Sequence, residues 1–173
     1  RPVIYDIYKA IVNPGDTVIC AVPSCNNNHY SYLHGAKSVI IEATPEDNFM
    51  PSAATIRPHI SEASMVALCS PQNPTGTVFS KEGLTEICDL ILEENKRRGP
   101  NTKPVYLMYD QIYWALTFGN TEHHNPVSLR PEMKEYTIFV DGISKSLSAT
   151  GVRVGWTMGP KAIVAKMKAI LSH

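Results

Sequence analysis

Met65-Val66-Ala67-Leu68-Cys69 is an unbroken apolar run of strand length, and a strand without polar alternation is one buried on both faces. A fold that accommodates it must cover its sheet twice, and the rest of the sequence supplies the covering layers. Thr17 to Val22, Lys37 to Glu42, Val105 to Tyr109 and Ile138 to Val140 read as further strands, with helical patterns between them. Ile4, Ile7, Tyr8, Ile11 and Val12 line one helix, which Asn13-Pro14-Gly15-Asp16 stops. Leu84, Ile87, Cys88, Ile91 and Leu92 line a long one, capped by Ser80 and ended by Arg97-Arg98-Gly99-Pro100. Gly159-Pro160 opens a last one with Ile163, Val164, Met167, Ile170 and Leu171 on its apolar face. Asn28 to Gly35 reads as a short helical stretch, Thr55 to Ala63 as helix or loop, and Val152 to Met158 as a further strand. Strands alternating with helices predict a three-layer α/β/α domain with a mostly parallel sheet, in which ligands gather at the carboxyl ends of the strands.

Composition narrows the partners. Sixteen basic and sixteen acidic residues cancel in a chain of 173, so no basic stripe points to nucleic acid or to an anionic membrane surface. No run approaches a membrane span and no charged-then-apolar leader opens the sequence. Cys20, Cys25, Cys69 and Cys88 are scattered without a Cys-x-x-Cys pair and read as reduced residues of a cytosolic protein. His123-His124 has no companion at metal-ligand spacing and reads as surface loop. The expected partner is a small molecule or another protein.

Chemistry gathers after three of the strands. Ser70-Pro71-Gln72-Asn73-Pro74-Thr75-Gly76 follows the Met65 run, Asp110-Gln111-Ile112-Tyr113 follows the Val105 strand, and Ser144-Lys145 follows the Ile138 strand. Taken singly, each has an ordinary explanation as a turn, a helix cap or a core tyrosine. In a parallel sheet, however, all three fall on one edge. The segment Ser144-Lys145-Ser146-Leu147-Ser148-Ala149-Thr150-Gly151-Val152-Arg153-Val154-Gly155 adds an amine, able to form an imine with an aldehyde, and a guanidinium, able to grip a phosphate with two prongs. The cofactor that fits both demands is pyridoxal 5'-phosphate.

Gly142, Ser144, Lys145, Gly151, Arg153 and Gly155, with Asn73-Pro74-Thr75-Gly76 and the Asp110/Tyr113 pair in the same order and spacing, carry a resemblance. The chain resembles the large domain of fold-type I pyridoxal-phosphate aminotransferases, the class I/II group that includes the aspartate aminotransferases, over essentially its whole length. The resemblance implies that Lys145 holds the cofactor as an imine and later shuttles the proton at the substrate carbon. It implies that Asp110 pairs with the pyridine nitrogen, that Asn73 and Tyr113 donate to the ring's phenolic oxygen, and that Arg153 and Ser144 hold the phosphate. Gly151 and Gly155 are expected to allow close approach at Arg153. It also implies an amino acid and a 2-oxo acid as substrates, with aspartate and 2-oxoglutarate the family-level expectation, in a cytoplasmic homodimer.

Departures accompany the matches. Many relatives have Ser where Gly142 stands, and the aromatic ring expected over the cofactor has Ser24 or Cys25 in its place, with His29 and Tyr30 the rings left to compensate. Residues 1–173 read as the central part of a large domain, with the phosphate loop expected upstream and a small domain downstream. A β-elimination lyase with the same lysine, or a non-catalytic ligand-sensing domain of a regulator, remains open at this point. A nucleotide-binding domain has no glycine fingerprint after any strand to support it.

Overall fold

The computed structural model describes residues 2–24 and 27–172. Helix α1 (Pro2–Ile11) leads into β1 (Thr17–Val22), α2 (Asn27–Leu33) and β2 (Lys37–Glu42). A short α3 (Ala53–Ile56) passes into a 3-10 segment over Arg57–Glu62 and then β3 (Ala63–Cys69). The long α4 (Lys81–Arg98) is followed by β4 (Tyr106–Asp110), one turn of α5 (Pro126–Leu129) and β5 (Thr137–Gly142). After α6 (Ile143–Ser146) come β6 (Gly155–Met158) and α7 (Lys161–Leu171).

The strands form one sheet in the order β2-β1-β3-β4-β5-β6. Those from β2 to β5 pair in parallel, and β6 runs antiparallel to β5. Successive side chains of a strand point to opposite faces, and β3 shows why its apolar run is unbroken. Val66 and Leu68 join Ile56, Leu84, Ile87, Ile91 and Tyr109 in a core under α3 and α4. Met65 and Ala67 join Ile7, Tyr8, Ile11, Met108, Ile138, Ile163 and Met167 in a second core under α1 and α7. The three-layer α/β/α arrangement is therefore present, with the central strands β1, β3, β4 and β5 buried and the edge strands β2 and β6 mostly exposed.

Local chemistry sets the ends of α4. Ser80 Oγ accepts the Gly83 N–H at 3.0 Å, and Gly99 closes the helix at a φ of 71°. Beneath that end Arg98 donates to Glu94 Oε1 and to the carbonyls of Ile60, Ala63 and Lys103. Arg97 and Arg98 hold the Glu94 carboxyl down to about 2. This network welds α4 to the entry of β3 at the amino edge, which leaves the opposite edge free for function.

In the sheet order β1 lies between β2 and β3, so the chain leaves β1 in one direction and returns to build outward in the other. That reversal makes the carboxyl ends of β1 and β3 the switch point of the sheet, the usual ligand position in open α/β sheets. Gln72 Nε2 spans it, donating to Pro23 O at 2.7 Å.

Candidate functional site

The residues after β3 turn tightly because Gly76, at a φ of 74°, takes a left-handed conformation that a side chain would strain. Its N–H donates to Gln72 O at 2.8 Å, and Gln72 N–H donates to Thr77 O at 2.7 Å. Asn73 stands on this turn, its own N–H held by Gln72 Oε1 at 3.0 Å. Its side chain reaches across to the next turn, where Nδ2 donates to Tyr113 Oη at 3.1 Å. With Asn73 as the donor, the Tyr113 hydroxyl keeps its own proton to give elsewhere.

Asp110 ends β4 and is paired in register with Cys69 of β3. Its Oδ1 accepts the Ile112 N–H at 3.0 Å, which shapes the turn that presents Tyr113. Burial pushes the Asp110 carboxyl up to about 6; the Ile112 N–H pulls the other way, and the charge of Asp141 adds to the rise. A carboxylate held in this state gains from any cation brought against it.

Lys145 lies on α6, directly beyond β5, and its Nζ stands 5.5 Å from the centroid of the Tyr113 ring. Asn73, Asp110, Tyr113 and Lys145 are thus delivered by three adjacent strands to one edge. Ser144 is half-buried beside Lys145. Arg153 lies further along the same connection, exposed, with Nη1 donating to Thr150 O at 2.8 Å. No hydrogen bond joins Arg153 to the other four among the described residues.

Several expectations from sequence need correction. Gly151 meets nothing where a Cβ would stand, and the left-handed conformation falls on Arg153 itself, at a φ of 60°. Gly155 does serve close approach, since a Cβ there would lie 3.1 Å from Asp141 O. Gly142 is the tightest position: a Cβ would stand 2.8 Å from Val154 O and 3.0 Å from Gly155 Cα, so a serine here would force the facing backbone at the start of β6 to shift. His123 is not a surface residue in the ordinary sense. Its ring packs 6.0 Å from Tyr109, and both ring nitrogens are buried without a hydrogen-bond partner.

The loop after β1 gives a partial answer. Tyr30 is buried against Tyr8 at 5.5 Å in the core under α1, so its ring is engaged there. His29 is exposed on α2 and Ser24 is half-buried, while Cys25 lies outside the described residues. Cys20 and Cys88 are buried and Cys69 is partly so. Sequence reasoning missed Gln72, Gln111 and Asp141, polar residues adjoining the motifs whose partners are distant in the chain. The available signal was position: a polar side chain beside a candidate site residue at a strand end has to point somewhere.

The family model described as aminotransferase class I and II matches residues 4–173. An aspartate aminotransferase of Bacillus sp. (strain YM-2) is 34% identical over 175 residues, an alignment covering 100% of this chain and 42% of the relative. The aspartate/prephenate aminotransferase of Thermus thermophilus is 30% identical over 175 residues, with the same 100% and 42% coverage. Among solved structures, the Thermus thermophilus aspartate aminotransferase with maleate superposes with a TM-score of 0.88 at 30% identity, over 99% of this chain and 42% of that one. The chain therefore spans about 42% of the length of the relatives it matches.

Proposed function

Because the chain belongs to the class I and II aminotransferases, a family of pyridoxal-phosphate enzymes, we propose that the edge carrying Asn73, Asp110, Tyr113, Ser144, Lys145 and Arg153 holds that cofactor. We propose further that residues 1–173 are the central part of a cofactor-binding large domain, in a protein that moves an amino group between an amino acid and a 2-oxo acid. The observation that carries the reading is the meeting of the Lys145 amine, the hydrogen-bonded Asn73/Tyr113 pair and the Asp110 carboxylate across three strand ends.

The residues fit the group. A partly buried carboxylate with its proton affinity raised to about 6 suits a ring nitrogen that becomes cationic, and an exposed guanidinium with donors to spare suits a phosphate. When bound, the cofactor supplies an electron-accepting ring for the bond that breaks at the substrate's α-carbon. Lys145 Nζ would be the amine that holds the cofactor's aldehyde carbon, and the same amine would move the proton at the substrate's α-carbon. Asp110 keeps the ring nitrogen protonated by pairing with it. The Tyr113 hydroxyl, oriented by Asn73, donates to the ring oxygen and favours its anionic form. Arg153 and Ser144 hold the phosphate.

Aspartate with 2-oxoglutarate is the substrate pair we propose, supported by relatives that carry the name aspartate aminotransferase. The whole protein is proposed to work as a cytoplasmic homodimer. Among the described residues no helix is long and apolar enough to cross a membrane.

The test is covalent. Incubation with pyridoxal phosphate, reduction with borohydride and peptide mapping should give an adduct on Lys145, and Lys145→Ala should lose it. An adduct that persists in that variant, or that maps elsewhere in the wild-type protein, overturns the assignment.

A further inference from the structure

Two buried polar side chains lie between the turns that carry the proposed chemistry. Gln111 follows Asp110 and is 8% exposed; Asp141 precedes Gly142 at the end of β5 and is 7% exposed. Gln111 Nε2 donates to Asp141 Oδ2 at 3.3 Å, and Asp141 Oδ1 accepts the Gly142 N–H at 2.7 Å. The Gln111 backbone completes the arrangement. Its N–H donates to Val140 O at 3.0 Å, and its carbonyl accepts the Trp114 N–H at 2.9 Å, closing the turn on which Tyr113 stands.

One carboxylate thus links the Tyr113 turn to the first residue of the connection bearing Lys145. Among the described residues it is the side-chain hydrogen bond that joins these two turns. On its other side Gly142 is backed by the Val154 carbonyl, which leaves no room for a Cβ and little for drift. Packing does not require this pair. An apolar pair of similar volume fills buried space without desolvating a charge and is commonly as stable or more so. The pair also lies on the face of Tyr109 and Phe139, opposite to Asp110 on the alternating strands, so it does not line the cofactor edge itself.

We propose that Gln111 and Asp141 form a clasp of positioning residues that fixes the turn carrying Lys145 against the turn carrying Asp110 and Tyr113. The inference rests on the cofactor reading above. The reach of Lys145 Nζ is set by where α6 begins, and α6 begins at the residue whose predecessor, Gly142, Asp141 holds. A misplacement of about 1 Å at such a group costs on the order of 10²-fold in rate.

The chemistry of the clasp separates its variants. Asp141→Asn retains an oxygen for the Gly142 N–H. Its new amine meets Gln111 once that amide turns over to present Oε1, which has no partner in the present arrangement. Asp141→Leu and Gln111→Met remove the link. In the holoenzyme, Asp141→Asn is expected to keep kcat within about threefold of wild type, and both apolar variants to lose roughly tenfold or more in kcat with KM little changed. In the cofactor-free protein, the amides of residues 142–147 should exchange with solvent roughly tenfold faster in the apolar variants, with protection elsewhere preserved.

Wild-type kcat together with wild-type exchange in a folded Gln111→Met protein would overturn the proposal. Should Asp141→Leu fail to fold, Gln111→Met decides, since it breaks the link while leaving Asp141 on the Gly142 N–H. A wild-type protein that takes no adduct at Lys145 would refute the cofactor reading, and the exchange measurement would still decide whether the clasp exists.

Discussion

Asp110→Asn should make the cofactor-free protein more stable while weakening its grip on the cofactor. Burial raises the Asp110 carboxyl from its ordinary value near 3.8 to about 6, a difference of roughly 2 units at about 1.4 kcal/mol each, hence about 3 kcal/mol. The sign follows from linkage. A group whose folded pKa is raised binds its proton more tightly in the folded state, so its contribution is present in full below about pH 4 and is lost as pH rises through about 6. Above about pH 7 the wild-type chain carries the whole cost of a buried charge. The amide of Asp110→Asn keeps an oxygen for the Ile112 N–H and carries no charge, and the variant should be more stable by about 2 to 3 kcal/mol at pH 8 and by less than about 1 kcal/mol at pH 4. Urea unfolding of both proteins at several pH values measures this, and the difference between them removes the contribution of every other titrating group. Coincident unfolding curves at pH 8, or a difference that does not grow between pH 4 and pH 7, would refute the argument that Asp110 is a desolvated acid without a charged partner.

Other outcomes follow from the same coordinates. Gly142→Ser sets a Cβ 2.8 Å from a backbone oxygen and should cost about 1 to 3 kcal/mol in thermal or urea unfolding. Arg98→Met strips the carbonyls of Ile60, Ser61, Ala63 and Lys103 of a donor and leaves Glu94 to Arg97 alone, and should cost about 3 kcal/mol, read in the same assay. Glu94, held at about 2 by Arg97 and Arg98, contributes stability that is present above its unfolded value near 4.5 and is lost as pH falls through about 2. Glu94→Gln should therefore flatten the acid limb of the wild-type stability curve. Tyr113→Phe keeps the ring near Lys145 and removes the acceptor for Asn73; the pH at which the bound cofactor's absorbance changes should rise, with the adduct on Lys145 retained.

The strands were readable from sequence because a doubly covered sheet demands continuous apolar runs. Thr17–Val22 and Lys37–Glu42 fall where the sequence predicts them, and β3 extends its predicted run by two residues, Ala63 and Ser64. The stretch after Ser52 was ambiguous for a physical reason. Four residues of α-helix give way at Arg57 to a 3-10 segment, with Pro58 in its first turn, so no single period describes it. The residues of the site were legible one at a time, as polar side chains at strand ends, and their meeting followed from the parallel sheet. Arg153 is different: its part in the site rests on resemblance alone, and nothing in its hydrogen bonding joins it to Lys145. Links between distant positions were not readable. Gln111 to Asp141 spans thirty residues, and His123 packs, partly buried, against Tyr109 from across an irregular loop that has no periodic pattern to announce it.

The direction of β6 decides how this site tolerates change. Had β6 run parallel to β5, the chain would have had to cross to the amino edge before returning, a connection of about a dozen residues or more. Because it runs antiparallel, the connection from Gly142 to Gly155 starts and ends at the carboxyl edge, and Lys145 and Arg153 both lie on it. An added residue between them shifts amine against guanidinium directly. At the opposite edge the passage from Gly99 to Pro104 can lengthen without altering any distance among Asn73, Asp110 and Lys145. Length variation among natural versions of this chain is accordingly expected at Gly99–Pro104 and excluded between Lys145 and Arg153.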